Sequence, residues 1–322
     1  MTTATSIPLL DLEPNMGTLK DDVLVGLAQD QKELPSKYFY DERGSHLFDD
    51  ICQLDEYYPT RTELAIMDNH VQQMAACLGP QCLVVEYGSG SGHKTEVLLE
   101  SLEDPVAYVP VEISRQHLLD SAERLQERYP QIEVLPVCAD YTADYDLPQP
   151  QRQPQRRAAY FPGSTIGNFL PEQAMGFLEH VAETVETGGG LLIGADLVKD
   201  RRVLEAAYDD REGVTAEFNK NLLRRINREL GADFDLDEFG HRAVWNEHDG
   251  RIEMHLESLR EQAVTVDDQT FEFERGETIC TEYSHKYTLE GFANMASLAG
   301  FEVEKVWTDD EDLFSVQYLT AA

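Results

Sequence analysis

A glycine-rich loop constrains the fold of this 322-residue chain more than any other feature. The apolar run at residues 82–87 is followed directly by Gly88-Ser89-Gly90-Ser91-Gly92. A short apolar run that ends in glycines predicts a strand buried on both faces, and a helix is predicted from Lys94 onward. Glycines between the two let the backbone turn sharply and approach a ligand, because no Cβ stands in the way. The loop therefore predicts a strand–loop–helix unit, with either a ligand or a purely structural turn at its tip.

Further strands and helices alternate along the chain. The pattern predicts strands at 107–113, 132–138, 158–161 and 190–197, and helices at 115–129 and 171–185. Repeated alternation of this kind predicts a parallel sheet that is covered by helices on both faces. After residue 200 the pattern changes to a long polar helix at 215–230 and two β-like runs at 251–259 and 263–273.

The spacing of the loop glycines separates two cofactor classes. Dinucleotide-binding enzymes use G-x-G-x-x-G, in which a pyrophosphate lies on the helix N-terminus, and here His93 replaces the third glycine. The pattern E-x-G-x-G-x-G, which begins at Glu86, is the methyltransferase form and faces the sulfonium and amino-acid tail of S-adenosylmethionine. Gly88 and Gly90 are therefore predicted to bind this cofactor.

Other polar residues are predicted at the same edge of the sheet. Glu112 ends the second strand, where a carboxylate can accept both ribose hydroxyls, although a solvated strand-end carboxylate gives the same pattern. Asp140 and Tyr141 follow the third strand and are predicted to hold the adenine, with the carboxylate accepting from the exocyclic amine. Lys94 lies in a first helical turn, where the helix dipole disfavours a cation, so a pairing with the cofactor carboxylate is predicted.

The C-terminal strands identify the type of sheet. Strands predicted at 301–307 and 313–319 follow a helix at 288–299, and the turn between them is too short for a crossover helix. The two must therefore be antiparallel neighbours. A mostly parallel sheet with an antiparallel final hairpin is typical of the class I methyltransferase (Rossmann-like) α/β fold. We predict a methyltransferase domain that binds S-adenosylmethionine at 60–199 and 287–322, and a smaller α+β substrate-binding domain at 1–59 and 200–286.

Composition limits the partners of the chain. Its 61 acidic and 26 basic residues give a net charge of −35, and such a field repels nucleic acid and anionic membranes. Without a membrane-length apolar run or a visible secretory signal, a cytoplasmic location is predicted. Five cysteines without a C-x-x-C pair, and histidines without a metal-binding motif, favour reduced thiols and no metal site. We expect a monomer that acts on a small molecule.

Several further segments carry a more specific signal than the loop. They include Gly163-Ser164-Thr165-Ile166-Gly167-Asn168 and Glu282-Tyr283-Ser284-His285-Lys286. Over nearly its whole length the chain resembles the histidine Nα-methyltransferases of ergothioneine biosynthesis. The segments that carry this resemblance are 37–41, 54–63, 163–168, 196–200, 207–210, 218–219, 227–230 and 282–286.

The resemblance implies both a reaction and a substrate site. The reaction transfers three methyl groups in succession from S-adenosylmethionine to the α-amino group of L-histidine, and the product is hercynine (Nα,Nα,Nα-trimethylhistidine). Asn168 and Tyr208 would hold the substrate carboxylate. Glu282 and Ser284, together with Tyr57, would recognise the imidazole.

Two more residues complete the implied site. Tyr40 would lie by the amine, and Met254 would line the pocket. No strong base is evident among the candidates, so Tyr40 or Tyr57 would orient the amine while water accepts its proton. The aromatic-rich N-terminal stretch suits a product that ends as a trimethylammonium cation.

Two other functions are compatible with parts of the pattern. One is a related methyltransferase that acts on another amino acid such as tryptophan. Glu282 and Ser284 speak against it, because residues two apart on a strand share a face and can read two ring nitrogens, whereas an indole offers one donor. The other is a non-catalytic module that binds the cofactor or histidine.

Overall fold

The computed structural model describes residues 7–12, 18–89, 92–143 and 145–322. Its strands are β1 Leu10–Asp11, β2 Lys32–Glu33, β3 Cys82–Tyr87, β4 Ala107–Glu112, β5 Glu133–Val134, β6 Val137–Cys138, β7 Arg156–Phe161, β8 Gly190–Asp196, β9 Phe239–Asn246, β10 Arg251–Ser258, β11 Gln262–Val266, β12 Gln269–Phe273, β13 Thr278–His285, β14 Phe301–Thr308 and β15 Phe314–Ala321. Its α-helices are α1 Leu19–Leu27, α2 Glu42–Ile51, α3 Tyr58–Leu78, α4 His93–Ser101, α5 Arg115–Arg128, α6 Pro171–Val185, α7 Arg201–Tyr208, α8 Val214–Leu230 and α9 Leu289–Leu298. Short 3-10 helices lie at Ser36–Phe39, Thr165–Asn168 and Leu236–Glu238.

One large sheet organises the molecule. Among the described residues it has nine strands in the order β1-β6-β4-β3-β7-β8-β15-β14, with β5 paired to β4. The central strands are parallel, whereas β15 is antiparallel to both β8 and β14. Every residue of β3 and β8 is buried, as expected for strands that are covered on both faces. The predicted mostly parallel sheet with an antiparallel final hairpin is confirmed, and with it the class I methyltransferase-like fold.

A smaller α+β body lies beside the large sheet. Its sheet has the order β2-β13-β10-β9, and β11 and β12 form a separate hairpin. Helices α2 and α8 contribute to its apolar core, where Phe39 and Phe218 contact each other at a ring-centroid distance of 4.6 Å. The sequence predicted such a smaller α+β body. Its exact boundaries at residues 60, 200 and 287 stay a prediction.

The end of β13 joins the two bodies. The Tyr287 N–H donates to the carbonyl oxygen of Asp196 at 2.9 Å, and the Val198 N–H donates to the carbonyl oxygen of Tyr287 at 2.9 Å. The residues that directly follow β13 therefore lie against the C-terminal end of β8. Ligands of parallel α/β sheets bind at this edge, so the fold places the smaller body over the ligand-binding edge.

Some predicted elements differ from the structure. The strand predicted at 132–138 is two short strands, β5 and β6, because Pro136 between them has no N–H to donate to a ladder. The run at 263–273 is a hairpin, and Asp267 at its turn has a φ of 54°. Strand β9 was not predicted, because its residues are mostly only partly buried and show no regular apolar alternation. Among the described residues, no helix combines the length and the apolar character needed to cross a membrane.

Candidate active site

The glycine-rich loop leaves the C-terminal end of β3, as predicted. Gly88 and Gly92 have φ values of 72° and 78°, a left-handed conformation that favours glycine, and Gly92 immediately precedes α4. A Cβ on Gly88 would lie 3.9 Å from Cε1 of Tyr141, so the loop passes close to that ring. Gly90 lies outside the described residues. The two described glycines form a turn at which a ligand can approach the backbone.

Glu86 lies beneath the loop rather than in it. Its carboxylate is buried and accepts from the Thr95 hydroxyl at 2.8 and 2.9 Å and from the Tyr108 hydroxyl at 2.7 Å. Burial raises the pKa of Glu86 to about 7, and the two hydroxyls oppose that rise. Glu86 therefore fixes the start of α4 against β3 and β4, directly after Gly92.

The two predicted carboxylates lie at neighbouring strand ends. Oε1 of Glu112 accepts from the backbone N–H groups of Ile113 and Ser114 at 2.9 and 3.2 Å, and these bonds orient the carboxylate. Oδ1 of Asp140 accepts from the backbone N–H and the hydroxyl of Thr142 at 2.9 and 2.7 Å. Because β6 pairs with β4, the two ends are adjacent at the same edge of the sheet.

Tyr141 stands in an aromatic cluster beside these carboxylates. Its ring lies 6.2 Å from Tyr87 and 6.0 Å from both Phe161 and Phe177, measured between ring centroids. Burial raises the pKa of Tyr141, and the negative charge of Glu112 adds to the rise. An apolar ring surface next to oriented carboxylates is a suitable seat for a flat base above a ribose.

Lys94 forms an ion pair with Glu63, a residue to which the sequence assigned no role. Its ammonium donates to the carboxylate of Glu63, which is 1% exposed. Both oxygens of Glu63 also accept from the backbone N–H of Gly163 at 3.0 Å. Glu63 thus connects the first turn of the cofactor helix to the turn that precedes Asn168.

That turn carries Asn168 to the tip of the smaller body. Gly163 and Ser164 have φ values of 79° and 57°, and the Asp196 N–H donates to the Ser164 hydroxyl at 2.9 Å. A Cβ on Gly167 would lie 2.7 Å from the carbonyl oxygen of His285, so only glycine fits there. The side chain of Asn168, which follows, is exposed at this junction.

Strand β13 supplies the predicted imidazole-reading pair. Glu282 and Ser284 occupy alternate positions of β13, and Met254 on β10 is the direct partner of Glu282. Burial raises the pKa of Glu282 to about 7, while the positive charge of Lys286 opposes the rise. The intervening Tyr283 donates to Glu33 at 2.6 Å, away from this pair. His285 donates from Nδ1 to the carbonyl oxygen of Gly167 at 3.0 Å, since that oxygen can only accept.

A buried group of charges, which we name the Asp196 cluster, lies directly behind Ser284. It consists of Asp196, Lys199, Lys286 and Tyr58. Asp196 accepts from Lys199 at 2.5 Å, from Lys286 at 2.8 Å and from the Tyr58 hydroxyl at 2.8 and 2.9 Å. Burial raises the pKa of the Asp196 carboxyl, but the two lysines outweigh it and the net direction is down. Burial lowers the pKa of Lys199 to about 8.

Aromatic residues predicted for the substrate site lie near β13. Tyr40 keeps 46% of its surface exposed, yet desolvation by the surrounding protein raises its pKa well above the usual value. The negative charge of Glu282 adds to this rise. Tyr57 lies 6.1 Å from Tyr208 between ring centroids, and desolvation raises its pKa in the same way. Ring contacts connect Tyr40 to this group, since its ring lies 5.6 Å from Phe48, which in turn lies 6.2 Å from Tyr57.

The predicted residues that the structure describes lie at the C-terminal edge of the large sheet and at the neighbouring end of β13. Five further residues, to which the sequence assigned no role, support them. Those five are Glu63, Asp196, Lys199, Lys286 and Tyr58, and all of them lie in segments that carry the family resemblance. Lys286 carried a further signal, because alternate spacing places it in line with Glu282 and Ser284. No local pattern connects Lys286 to Tyr208 and Asp196, which precede it by 78 and 90 positions.

Comparison with known proteins identifies relatives of the chain. A family model described as "histidine-specific methyltransferase, SAM-dependent" matches residues 19–321. A histidine N-alpha-methyltransferase of Mycolicibacterium smegmatis is 42% identical over 297 residues, which cover 90% of this chain and 91% of that protein. Ergothioneine biosynthesis protein 1 of Neurospora crassa is 30% identical over 289 residues, covering 86% of this chain and 32% of that protein. The CcbJ methyltransferase of Streptomyces caelestis, a solved structure, has a TM-score of 0.48 and 16% identity, over 80% of this chain and 96% of that one.

Proposed function

Because the chain belongs to the histidine-specific, SAM-dependent methyltransferase family, we propose that it trimethylates the α-amino group of L-histidine. Three successive transfers from S-adenosylmethionine would give hercynine, as a step of ergothioneine biosynthesis. The observation that carries the proposal is the position of Glu282 and Ser284 at alternate places on β13, with the Tyr208 hydroxyl 2.8 Å from Oγ of Ser284 and the Tyr208 ring 6.1 Å from that of Tyr57. The family model matches residues 19–321, a range that includes all of these positions.

The cofactor would lie along the ends of β3, β4 and β6. S-adenosylmethionine supplies an electrophilic methyl group, so the protein mainly has to position the two reactants. Gly88 and Gly90 would approach its amino-acid tail, with Lys94 pairing its carboxylate. Glu112 would accept the ribose hydroxyls. Asp140 and Tyr141 would hold the adenine, the former by a hydrogen bond and the latter by its ring.

The substrate would lie between β13 and the aromatic residues. Asn168 and Tyr208 would hold its carboxylate, while Glu282 and Ser284 read the two ring nitrogens. The half-buried, desolvated position of Glu282 supports this role, because a desolvated carboxylate gains most from a ligand N–H.

The remaining aromatic and apolar positions would shape the same pocket. Tyr57 would border the imidazole, and Met254, the strand partner of Glu282, would line the floor. Tyr40 would orient the amine for attack while water takes the proton. The raised pKa values of Tyr40 and Tyr57 keep both hydroxyls protonated at neutral pH, so they can act as hydrogen-bond partners but not as bases.

Location, assembly and domain division are part of the proposal. We propose a cytoplasmic monomer without a metal cofactor, in which 60–199 and 287–322 bind the cofactor and 1–59 and 200–286 bind the substrate. Cysteines that are all unpaired support a reducing compartment. The apolar core that Phe39 and Tyr208 share supports the grouping of the second domain.

A mass-spectrometric assay tests the function. The purified protein is incubated with S-adenosylmethionine and an equimolar mixture of histidine and tryptophan. We expect a product about 42 Da heavier than histidine, because three methylenes add roughly 14 Da each. Hydrogen bonds to the two ring nitrogens should favour histidine over tryptophan as the substrate. Glu282→Ala should lose most of this product, whereas Glu272→Ala, on the exposed face of β12, should not.

Two results would contradict the proposal. Methylated tryptophan without methylated histidine would indicate the related amino-acid methyltransferase instead. No methylated product at all, from protein that still binds S-adenosylhomocysteine, would indicate the non-catalytic module.

A further inference from the structure

Lys286 is a buried cation that no step of the proposed reaction uses. Its side chain has no exposed surface. Its ammonium donates to Oδ2 of Asp196 at 2.8 Å, to the Tyr208 hydroxyl at 2.9 Å and to Oγ of Ser284 at 2.8 Å. An ammonium has three N–H donors and no acceptor, so these bonds use all of its hydrogens. Two of the three acceptors belong to the proposed substrate site.

The same contacts restrict how the two hydroxyls can point. The oxygens of Tyr208 and Ser284 lie 2.8 Å from each other. Each accepts a hydrogen from Lys286, and only one further hydrogen fits between them. One hydroxyl must therefore donate to the other, which leaves the second with its own O–H free to donate to a ligand. The pair offers a ligand one donor and one acceptor, whichever way the bond between them runs.

We propose that Lys286 is a positioning residue that holds the Tyr208–Ser284 pair in this donor–acceptor arrangement and so selects substrates with an anionic carboxylate. This inference rests on the proposed function. A carboxylate can only accept, so Tyr208 donates its O–H to it. Ser284 then donates to Tyr208 and turns a lone pair toward a ring N–H. The cation behind the pair strengthens the donor, because it polarises the phenol O–H in a dry environment.

The Asp196 cluster contains a matched control for this role. Lys199 also binds Asp196, but its other bonds go to the Tyr58 hydroxyl at 2.7 Å and to the carbonyl oxygen of Leu197. Removal of either lysine leaves Asp196 with one buried cation. The two deletions therefore have the same effect on the charge balance of the cluster, and only the loss of Lys286 frees the hydroxyl pair.

The test compares binding of histidine with binding of histidinol, in which a CH2OH group replaces the carboxylate. Both affinities are measured by calorimetry in the presence of S-adenosylhomocysteine, for wild type, Lys286→Met and Lys199→Met. We expect Lys286→Met to reduce the preference for histidine over histidinol by roughly 10- to 100-fold, as for the loss of a charge-assisted hydrogen bond. Lys199→Met should change the preference by less than about threefold, because the hydroxyl pair keeps its cation.

Either of two results overturns the inference. One is an unchanged preference in Lys286→Met, and the other is an equal loss in both variants, which would assign the effect to charge alone. Thermal unfolding shows whether each variant is folded at the assay temperature. If Lys286→Met is not, Lys286→Gln is compared with Lys199→Gln in the same assay. An amide has two N–H donors for the three acceptors and no charge, so we expect a smaller loss of the preference than for Lys286→Met, and an unchanged preference overturns the inference. Failure of the wild type itself to bind histidine would overturn the proposed function and this inference together.

Discussion

The cofactor edge and the Asp196 cluster are built from contacts of very different range along the chain. Glu112 and Asp140 are oriented by partners one or two positions away. In the Asp196 cluster, Tyr58 and Asp196 are 138 positions apart, and Lys286 also binds Tyr208, 78 positions away and outside the cluster. Lys199 is the local member of the cluster, three positions after Asp196. A site made of local contacts keeps its shape when one member changes. A site made of buried long-range charges depends on the packing of both bodies, and it stabilises that packing in turn.

The largest expected difference concerns stability. Asp196→Ala strands two buried lysines without a counter-charge, and loss of one partner from a buried ion pair costs roughly 3–5 kcal/mol of the free energy of unfolding. The control is Glu100→Ala, which removes an exposed partner of Arg128 on the surface. Urea unfolding measures both variants, and the control should resemble wild type. Equal losses in the two variants would show that the Asp196 cluster is no more structural than a surface pair.

A smaller effect is expected from the raised pKa of Glu282, which is about 7 against an ordinary 4.5. The folded state holds this proton more tightly than the unfolded state, so ionisation of Glu282 costs stability as pH rises from about 4.5 to 7. Glu282→Gln removes that cost. Its free energy of unfolding relative to wild type should rise by roughly 2 kcal/mol between pH 5.5 and 8.5.

Urea unfolding at several pH values measures this change. Glu272→Gln on β12 serves as the control, since its side chain is exposed. A difference between Glu282→Gln and wild type that does not vary with pH would mean that Glu282 is ionised in the folded protein at all these pH values.

The smallest expected effect is at the cofactor edge. Glu112→Gln keeps a carbonyl oxygen for the local N–H groups but weakens acceptance from the ribose hydroxyls. Affinity for S-adenosylhomocysteine should fall roughly tenfold, the usual effect of losing a charged hydrogen-bond acceptor, while the free energy of unfolding stays near wild type. Calorimetry measures the affinity, with Glu127→Gln on the exposed face of α5 as control. A marked loss of stability in Glu112→Gln would remove the distinction between the two regions.

The sequence predicted those parts of the site that are local. Gly88 and Gly92 follow a buried strand because only glycine readily adopts their positive φ values, and that combination is visible in a short segment. The antiparallel hairpin of β14 and β15 followed from the shortness of their turn. The prediction of one strand at 132–138 was wrong. Pro136 lies within this apolar run, has no N–H to donate, and so interrupts the ladder.

The substrate side shows where local reasoning ends. Alternate spacing gave Glu282 and Ser284 a common face, and a family resemblance brought in Tyr57, Asn168 and Tyr208 without placing them. The close approach of Gly167 to His285 fixes where Asn168 stands. Asp196 lies three positions before Lys199, but nothing near Lys286 in the sequence indicates that it binds the same aspartate.

By itself the sequence determined the sheet, the glycine loop, the cofactor class and, through resemblance, the substrate. Those features depend on backbone conformation and on residues that are close along the chain. Only the tertiary structure decided that Glu63 links Lys94 to Gly163. It also decided that Asp196 binds Lys199, Lys286 and Tyr58 behind Ser284, one of the residues proposed to bind the substrate. The physical reason is desolvation: a charge becomes strongly coupled to distant partners only after folding has removed the water around it.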